Sequence, residues 1–308
     1  MMSSKTILES WLYLSPVACQ VTHASGYQQG IDLLTKAGVS NAKSEALWLL
    51  ESALGITRLD IHVQPQKSVR PTLWAYAYEV FKRRARGEPL QYILGTQPFR
   101  GLEIMVRPGV LIPRPETQLI VEEVHAILDS CEELRMADIG TGSGCLAVAL
   151  ATEFPHAKLY ATDCSIAAIG VAVDNANKSS VQDRICFLCG DLLEPLTGLP
   201  GIKGGLSVIV ANPPYIPTRY LDTLPCDVRD FEPHLALDGG RDGLDFYRRL
   251  LSEAQFFLQP GGYLVLEMGE GQAHRICEEA EDLQVWILRN IRQDDANIDR
   301  VITLERKG

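Results

Sequence analysis

The sequence predicts an α/β protein in which a mainly parallel sheet carries helices on both faces. From Met136 onward, short apolar runs alternate with longer helical patterns, which is typical of consecutive βα units. A glycine-rich segment, 140–144, follows the first apolar run and precedes the first helix of the series. The β-branched run 206–211 stops at two prolines, and the two last runs flank the polar stretch 294–297, as in a terminal hairpin.

The first ninety residues lack strand periodicity and predict a separate helical segment. A short helix is predicted at 7–14, and helical patterns then occupy 27–38, 44–55 with Ser44 as N-cap, and about 72–87. The third pattern ends in the basic cluster 82–86, which complements the helix dipole. The alternative is that this cluster contacts an acidic or RNA-bound partner.

A boundary follows at Gly87-Glu88-Pro89. Two short alternating runs, 92–95 and 99–106, around a turn at 96–98 predict a hairpin that links the helical segment to the rest. A Pro-punctuated stretch then opens a helix at 118–129.

The remaining elements come from the alternation of apolar runs and helical patterns. Strands are predicted at 135–139, 158–163, 184–190, 206–211, 262–268, 285–292 and 299–306. Helices are predicted at 144–153, 165–179, 243–258 and 271–282. The predicted division is an extension of unassigned role at 1–26, a helical domain at 27–90, a hairpin linker at 91–113 and a sheet domain at 114–308.

Composition narrows the class of function. The net charge of −10 disfavours a protein that holds nucleic-acid backbones by bulk electrostatics, although a local basic patch is compatible with it. The sequence has no apolar run of the ~20 residues that a membrane helix needs, and no signal or transit pattern at its start, so a cytoplasmic enzyme is expected. The pair Cys186 and Cys189 predicts no metal site, because residues three apart on a strand face opposite sides.

The glycine segment indicates a ligand site at the end of the first strand. Gly140, Gly142 and Gly144 let the backbone pass close to a ligand, and the following helix N-terminus favours negative groups. A dinucleotide would also fit a glycine loop, but the spacing differs from G-x-G-x-x-G and Asp138 would repel a pyrophosphate. Asp138 favours a cationic group such as an amine or sulfonium.

Two further aspartates end the next strands. Asp163 could accept hydrogen bonds from ribose hydroxyls, and Asp191 from an adenine amine, with Leu192 covering the ring. Taken singly, each could equally cap the helix that follows. Three strand-end carboxylates together indicate a nucleoside with a cationic amino-acid tail, S-adenosylmethionine. The predicted cofactor-binding residues are Asp138, Gly140, Thr141, Gly142, Ser143, Gly144, Asp163, Asp191, Leu192 and Asn212.

The tetrapeptide Asn212-Pro213-Pro214-Tyr215 is the predicted reaction centre. Its prolines end the strand 206–211, so Asn212 lies at the carboxyl edge of the sheet, where open α/β sheets bind ligands. The Asn212 side-chain oxygen and the Pro213 carbonyl offer two acceptors to a planar –NH2 group, and Tyr215 adds an aromatic wall. The predicted catalytic residues are Asn212, Pro213 and Tyr215; with Pro214 they form the predicted substrate site. The alternative is a plain Pro-rich loop.

The glycine loop, the strand-end aspartates and Asn-Pro-Pro-Tyr resemble class I (Rossmann-like) methyltransferases that methylate amino groups. Four further motifs are similar to the release factor glutamine methyltransferases, the PrmC/HemK family: Ile112-Pro113-Arg114-Pro115-Glu116-Thr117, Phe231-Glu232-Pro233, Gly239-Gly240-Arg241-Asp242-Gly243-Leu244 and Glu267-Met268-Gly269-Glu270-Gly271-Gln272. The resemblance runs from about residue 27 to the end. Gln118 stands where the family usually has Glu, and residues 1–25 have no counterpart.

The resemblance implies a five-helix N-terminal domain that docks a release factor, a hairpin linker and a seven-stranded methyltransferase domain. It implies methylation of the glutamine in the Gly-Gly-Gln motif of class I peptide chain release factors, with neither a stable nucleic-acid partner nor a membrane. The rival hypotheses are an N6-adenine nucleic-acid methyltransferase, a non-catalytic adaptor of the same fold and, more distantly, an NAD-linked dehydrogenase.

Overall fold

The computed structural model describes residues 20–129 and 134–308. The helix predicted at 7–14, and most of the extension predicted at 1–26, lie outside these ranges. The chain divides into two compact units, Met1–Leu94 and Gly95–Gly308. The roles predicted for the segments 1–26, 27–90, 91–113 and 114–308 stay predictions.

The described part of the first unit contains five helices. They are α1 (His23–Lys36), α2 (Ala42–Leu54), α3 (Arg58–Val63), α4 (Pro71–Ala85) and α5 (Leu90–Leu94). Their apolar faces enclose one core, which includes Leu34, Leu50 and Phe81. Gly30 is required where α1 meets α4, because a Cβ there would lie 2.5 Å from the Phe81 ring.

Several helix boundaries differ from the prediction for physical reasons. Helix α1 begins at His23 rather than near Tyr27, because Thr22 caps it and its Oγ1 accepts a hydrogen bond from the Ser25 N–H at 3.2 Å. Helix α2 begins at Ala42 after Asn41, so the prediction of Ser44 as N-cap is wrong. It ends at Gly55, as predicted, with a left-handed φ of 66°.

The basic residues at the end of α4 form ion pairs within their own unit. Arg84 Nε lies 2.6 Å from Glu45 Oε2, and both side chains are largely buried. Arg83 pairs with Glu88, and Lys82 pairs with Glu79. These pairs favour the structural interpretation of the cluster over a contact surface for an acidic partner.

The linker hairpin begins later in the sequence than predicted. Residues 92–95 were expected to form a strand, but Tyr92 lies in helix α5. The hairpin consists of β1 (Thr96–Phe99) and β2 (Leu102–Met105), so 96–98 is a strand and not the turn. The turn falls at Arg100 and Gly101, whose φ angles of 48° and 74° match the twist of a two-residue hairpin loop.

The second unit contains a seven-stranded sheet, which confirms the α/β class. Its strands are β3 (Arg135–Ile139), β4 (Lys158–Asp163), β5 (Ile185–Cys189), β6 (Leu206–Ala211), β7 (Leu258–Glu267), β8 (Trp286–Gln293) and β9 (Asp299–Arg306). The spatial order is β5-β4-β3-β6-β7-β9-β8, and β9 runs antiparallel to the other six strands. Strand β7 begins before the predicted residue 262, because Leu258 already pairs with Leu206 of β6, ahead of an irregularity in the register before Tyr263.

Helices pack against the sheet, and the carboxyl ends of two of its strands form a potential ligand site. They are α6 (Gln118–Ile127), α7 (Cys145–Glu153), α8 (Ile166–Lys178), α9 (Cys226–Arg229), α10 (Asp245–Ala254) and α11 (Ala273–Asp282). Helices α10 and α11 share a core with Ile139, Ile209 and Leu264 of the strands. Because the chain moves outward from β3 in one direction and from β6 in the other, their adjacent carboxyl ends form a topological switch point.

No helix in the described part of the chain is long and apolar enough to cross a membrane. Within residues 20–129 and 134–308, no group of three or more His, Cys, Asp or Glu side chains is arranged to hold a metal ion.

Candidate active site

The glycine loop joins β3 to α7 in a backbone conformation that favours glycine. Gly140, Gly142 and Gly144 have φ angles of 74°, 56° and 79°. A Cβ on Gly144 would lie 2.8 Å from the Cβ of Ala172 on α8. Glycine therefore allows the first turn of α7 to pack closely against α8 while its N-terminus opens at the carboxyl edge of the sheet.

Asp138 lies buried beneath this loop. Its Oδ2 accepts hydrogen bonds from Thr141 Oγ1 at 2.6 Å and from the Ala147 N–H at 3.1 Å. Its Oδ1 has no hydrogen-bond partner among the described residues. Burial raises the pKa of Asp138 to about 7, while the hydrogen bonds from Thr141 and Ala147 lower it. A buried carboxyl group with one unpartnered oxygen favours a cationic ligand nearby.

Asp163, the last residue of β4, holds the glycine loop in place through a hydrogen bond. Its Oδ2 accepts a hydrogen bond from the Gly142 N–H at 2.8 Å, and its Oδ1 accepts one from the Ser165 N–H at 2.8 Å. The N-cap of α8 is Ser165, whose Oγ accepts from the Ala168 N–H, so Asp163 is not the helix cap. Each carboxylate oxygen can accept more than one hydrogen bond, which leaves capacity for ligand hydroxyls.

Asp191, just beyond β5, is held by a residue that the sequence did not indicate. Arg249 of α10 donates to Asp191 Oδ1 at 3.2 Å and to Oδ2 at 2.8 Å. The adjacent Leu192 is buried with a φ of 45°, and its carbonyl accepts a hydrogen bond from Thr162 Oγ1 at 2.8 Å. The Leu192 carbonyl is therefore used within the fold, while its side chain remains at the site.

Asn212 follows β6 directly and has a fixed amide. Its Nδ2 donates a hydrogen bond to Thr117 Oγ1 at 3.2 Å. No described residue donates a hydrogen bond to its Oδ1. The orientation of the amide therefore leaves the oxygen as a free acceptor, and the substrate-binding role of Asn212 stays a prediction.

The backbone of Tyr215 is held by the loop after β7. Gln272 Nε2 donates to the Tyr215 carbonyl at 3.0 Å and to the Gly243 carbonyl at 3.2 Å. A Cβ on Gly243 would lie 2.4 Å from the Tyr215 carbonyl oxygen, so only glycine fits. Burial raises the pKa of Tyr215 to about 12, and its phenol stays protonated at neutral pH.

A buried ion pair fixes one wall of the site. Arg114 Nη2 lies 2.5 Å from Glu232 Oε1, and Glu232 Oε2 accepts a hydrogen bond from the Ile112 N–H at 3.1 Å. Glu232 is 4% exposed, so both of its oxygens are satisfied out of water. The contact joins two of the motifs on which the family resemblance was based.

Two cavities share Asn212 as a lining residue. The larger holds about 370 Å³, and the predicted residues that line it are Gly140, Gly142, Asp163, Asp191, Leu192, Asn212, Pro213 and Pro214. The smaller holds about 70 Å³ and is lined by Arg114, Asn212, Tyr215 and neighbouring apolar side chains. The predicted residues Asp138, Thr141, Ser143 and Gly144 line neither cavity and support the loop from behind.

The structure adds residues that the sequence prediction missed. Phe246 and Arg249 of α10 line the larger cavity, and Leu111 lines both cavities. Thr117 and Glu267 lie behind Asn212. Thr117 and Glu267 belong to motifs quoted above, but nothing in the local pattern indicated which side chain each would contact.

Comparison with known proteins identifies the family. The model of the PrmC N-terminal domain matches residues 27–95, and that of the methyltransferase small domain matches residues 115–223. A release factor glutamine methyltransferase of Moorella thermoacetica is 43% identical over 279 residues, covering 91% of this chain and 96% of that protein. The chain belongs to the release factor glutamine methyltransferase family.

Other members of the release factor glutamine methyltransferase family give the same result. That of Geobacter sulfurreducens is 46% identical over 243 residues, covering 79% of this chain and 82% of that protein. A solved protein-(glutamine-N5) methyltransferase, release factor-specific, from Alicyclobacillus acidocaldarius is 28% identical, covers 64% of this chain and 95% of its own, and superimposes with a TM-score of 0.39. Family membership rests on the sequence matches, and it makes the chain a methyltransferase rather than a dehydrogenase.

Proposed function

We propose that this chain transfers a methyl group from S-adenosylmethionine to the side-chain amide nitrogen of the glutamine in the Gly-Gly-Gln motif of class I peptide chain release factors. The observation that carries the proposal is the position of Asn212. It lines a large cavity and a small one, and its amide nitrogen is held by Thr117. Family membership supports the same substrate.

The residues around the larger cavity fit S-adenosylmethionine. Asp163 and Asp191 line this cavity and offer acceptors to hydroxyl and amine groups, while the unpartnered Oδ1 of Asp138 adds a carboxyl group behind the glycine loop. Leu192 and Phe246 supply apolar contacts for a flat ring. When bound, S-adenosylmethionine supplies a methyl group on a positively charged sulfur, which a nucleophile can attack.

The chain's own residues act mainly by positioning the acceptor amide. A carboxamide nitrogen is a poor nucleophile because its lone pair is delocalised. Asn212 Oδ1 and the Pro213 carbonyl accept its two hydrogens, orient it and stabilise the positive charge that grows on nitrogen. Alignment of two bound reactants contributes on the order of 7–11 kcal/mol. Tyr215 packs against the glutamine side chain, and the released proton passes to water.

The helical unit supplies recognition of the release factor in this proposal. Trp48, Leu59, Val63 and Tyr76 are exposed by 48%, 71%, 64% and 59%. Large exposed apolar side chains gain free energy from burial against a partner, so these four are the candidates for contact with the release factor. A substrate that acts in translation also implies a cytoplasmic location.

A methyl-transfer assay tests the proposal. Labelled S-adenosylmethionine is incubated with the protein and a release factor carrying Gly-Gly-Gln, with Gly-Gly-Ala as the matched control and DNA as a rival acceptor. Label on the Gly-Gly-Gln protein alone is expected. Label on DNA would support an N6-adenine methyltransferase, and no label on any acceptor would support a non-catalytic adaptor.

A further inference from the structure

Glu267 is a buried carboxylate directly behind the reaction centre. It is the last residue of β7, where Leu266 pairs with Ala211 of β6, so it lies beside Asn212. Its side chain is 2% exposed, and Oε2 has no hydrogen-bond partner among the residues that the structure describes. The mechanism above uses no group at this position.

The surroundings of Glu267 connect it to Asn212. Burial raises its pKa to about 7, while the side chains of Thr117 and Asn212 act on it as hydrogen-bond donors and lower the pKa. The other charged or titratable groups that face it are Glu116, Arg300, Tyr215, Tyr247 and Cys145. An isolated buried carboxylate opposes folding, so stability alone does not account for an acid here.

A carboxylate at position 267 favours one orientation of the Asn212 amide over the other. An ionised carboxylate only accepts hydrogen bonds, so an ionised Glu267 favours the orientation of the nearby Thr117 hydroxyl in which its proton points toward the carboxylate. Thr117 Oγ1 is then left as the acceptor for Asn212, which matches the 3.2 Å bond from Nδ2. An amide rotated by 180° would present its oxygen to these acceptors and its NH2 to the substrate's NH2. In Glu267→Gln the two orientations of the Asn212 amide would no longer differ in this way, because the glutamine amide both donates and accepts hydrogen bonds.

Resting on the proposed function, we propose that Glu267 is a positioning residue for the methyl transfer. It acts through Thr117 and Asn212 and keeps Asn212 Oδ1 directed at the acceptor amide. Its negative charge also favours the positive charge that grows on the acceptor nitrogen.

The test compares Glu267→Gln with wild type for turnover on a Gly-Gly-Gln release factor, cofactor affinity and thermal stability across pH. Turnover is expected to fall by roughly 10- to 100-fold, the range typical of partners that orient a functional side chain. Affinity for S-adenosylhomocysteine should stay within about twofold, because no cofactor contact changes. Wild-type turnover should rise as the pH passes through about 7, and this rise should be smaller in Glu267→Gln, where Asp138 still titrates in this range.

Stability separates positioning from a structural role. The pKa of Glu267 in the fold lies above its ordinary value, so the ionised side chain opposes folding once the pH rises toward about 7. Glu267→Gln should therefore be at least as stable as wild type at about pH 8. Thr117→Val should lose turnover, and Thr117→Ser should retain more turnover than Thr117→Val, since only serine keeps the hydroxyl.

Glu123→Gln is the matched control. Glu123 is also 2% exposed, but its carboxylate is paired with Asn290 of β8 and Thr303 of β9, and it lines neither of the two cavities. It should lose stability and keep turnover. Wild-type turnover and pH profile in Glu267→Gln, or a loss of turnover that parallels a loss of stability, would overturn the proposal. Absence of turnover in wild type would instead reject the proposed function, while the stability comparison of Glu267→Gln would still be measurable.

Discussion

Arg249 and Asp191 form a bidentate ion pair at the rim of the larger cavity, although 58 residues separate them in the chain. Two N–H groups of one guanidinium reach the two oxygens of one carboxylate, which is the strongest geometry for such a pair. Both side chains are partly exposed, by 42% and 54%. The pair therefore contributes little to stability and serves mainly to hold the carboxylate in place.

Arg249→Ala should weaken cofactor binding several-fold with little change in melting temperature, because Asp191 loses its restraint but remains present. The cofactor affinity of Arg249→Lys should lie between those of wild type and Arg249→Ala, since a single ammonium group cannot bind both carboxylate oxygens equally well. Calorimetric titration with S-adenosylhomocysteine measures the change. Tighter binding by Arg249→Ala would show that the arginine competes with the cofactor for Asp191.

Asp163→Ala should lower cofactor affinity by roughly 10- to 100-fold, which corresponds to about 1.5–3 kcal/mol for charge-assisted hydrogen bonds. The affinity falls for two reasons: the ligand's hydroxyl groups lose their acceptor, and the Gly142 N–H loses the hydrogen bond that holds the glycine loop in place. The fold should remain intact by circular dichroism. Asp183→Ala, an exposed aspartate just before β5, is the control at the other end of the sheet. Equal affinity in both variants would remove Asp163 from the site.

Asn212→Ala should lower methyl transfer by roughly 100- to 1,000-fold with little loss of cofactor affinity, since removal of one preorganised partner costs roughly 3 kcal/mol. Asn212→Asp is the sharper probe. Aspartate accepts hydrogen bonds but cannot donate to Thr117 Oγ1 as Nδ2 does, and its charge would be repelled by Glu267. Because a shift of about 1 Å can cost ~100-fold, we expect severe impairment. Turnover of Asn212→Asp near wild type would mean that acceptor capacity alone suffices.

Asp138→Asn should change the pH dependence of stability. The pKa of Asp138 in the fold, about 7, exceeds its ordinary value of 3.8. The ionised side chain therefore opposes folding, and this cost is absent below the ordinary pKa and grows as the pH rises to about 7. Relative to wild type, Asp138→Asn should gain roughly 1–3 kcal/mol between about pH 5 and pH 8. Denaturant titrations at both pH values measure the change, and a constant difference would contradict the assigned pKa.

A truncated chain that begins at Gly95 should bind the cofactor and methylate a release factor poorly. Gly95 is the first residue of the second compact unit, which contains every lining residue of the two cavities at Asn212. The measurements are S-adenosylhomocysteine affinity and turnover, with Trp48→Ala in the full chain as a milder perturbation of the helical unit. Full activity of the truncated chain would exclude a recognition role for the helices.

Several strands, and the position of Asn212 at the edge of the sheet, could be predicted from the amino-acid sequence alone. Strands β3, β4 and β6 occur at the residues predicted for them, because buried parallel strands are short runs of apolar and β-branched residues that local patterns reveal. The two prolines after Ala211 stop β6, so Asn212 necessarily lies at the carboxyl edge of the sheet. The turns of the glycine loop follow in the same way from glycine's access to positive φ.

The side chains that contact Asn212 could not be predicted in this way, because they come from distant parts of the chain. Thr117 contacts Asn212 across 95 residues, and Glu267 reaches it because β7 is the neighbour of β6 in the sheet. The hairpin linker was misplaced because helix α5 contributes Leu90 to the helical core, and that packing outweighs the strand-like alternation at 92–95. Strand order, register and packing bring distant residues together, and local periodicity carries no information about such contacts.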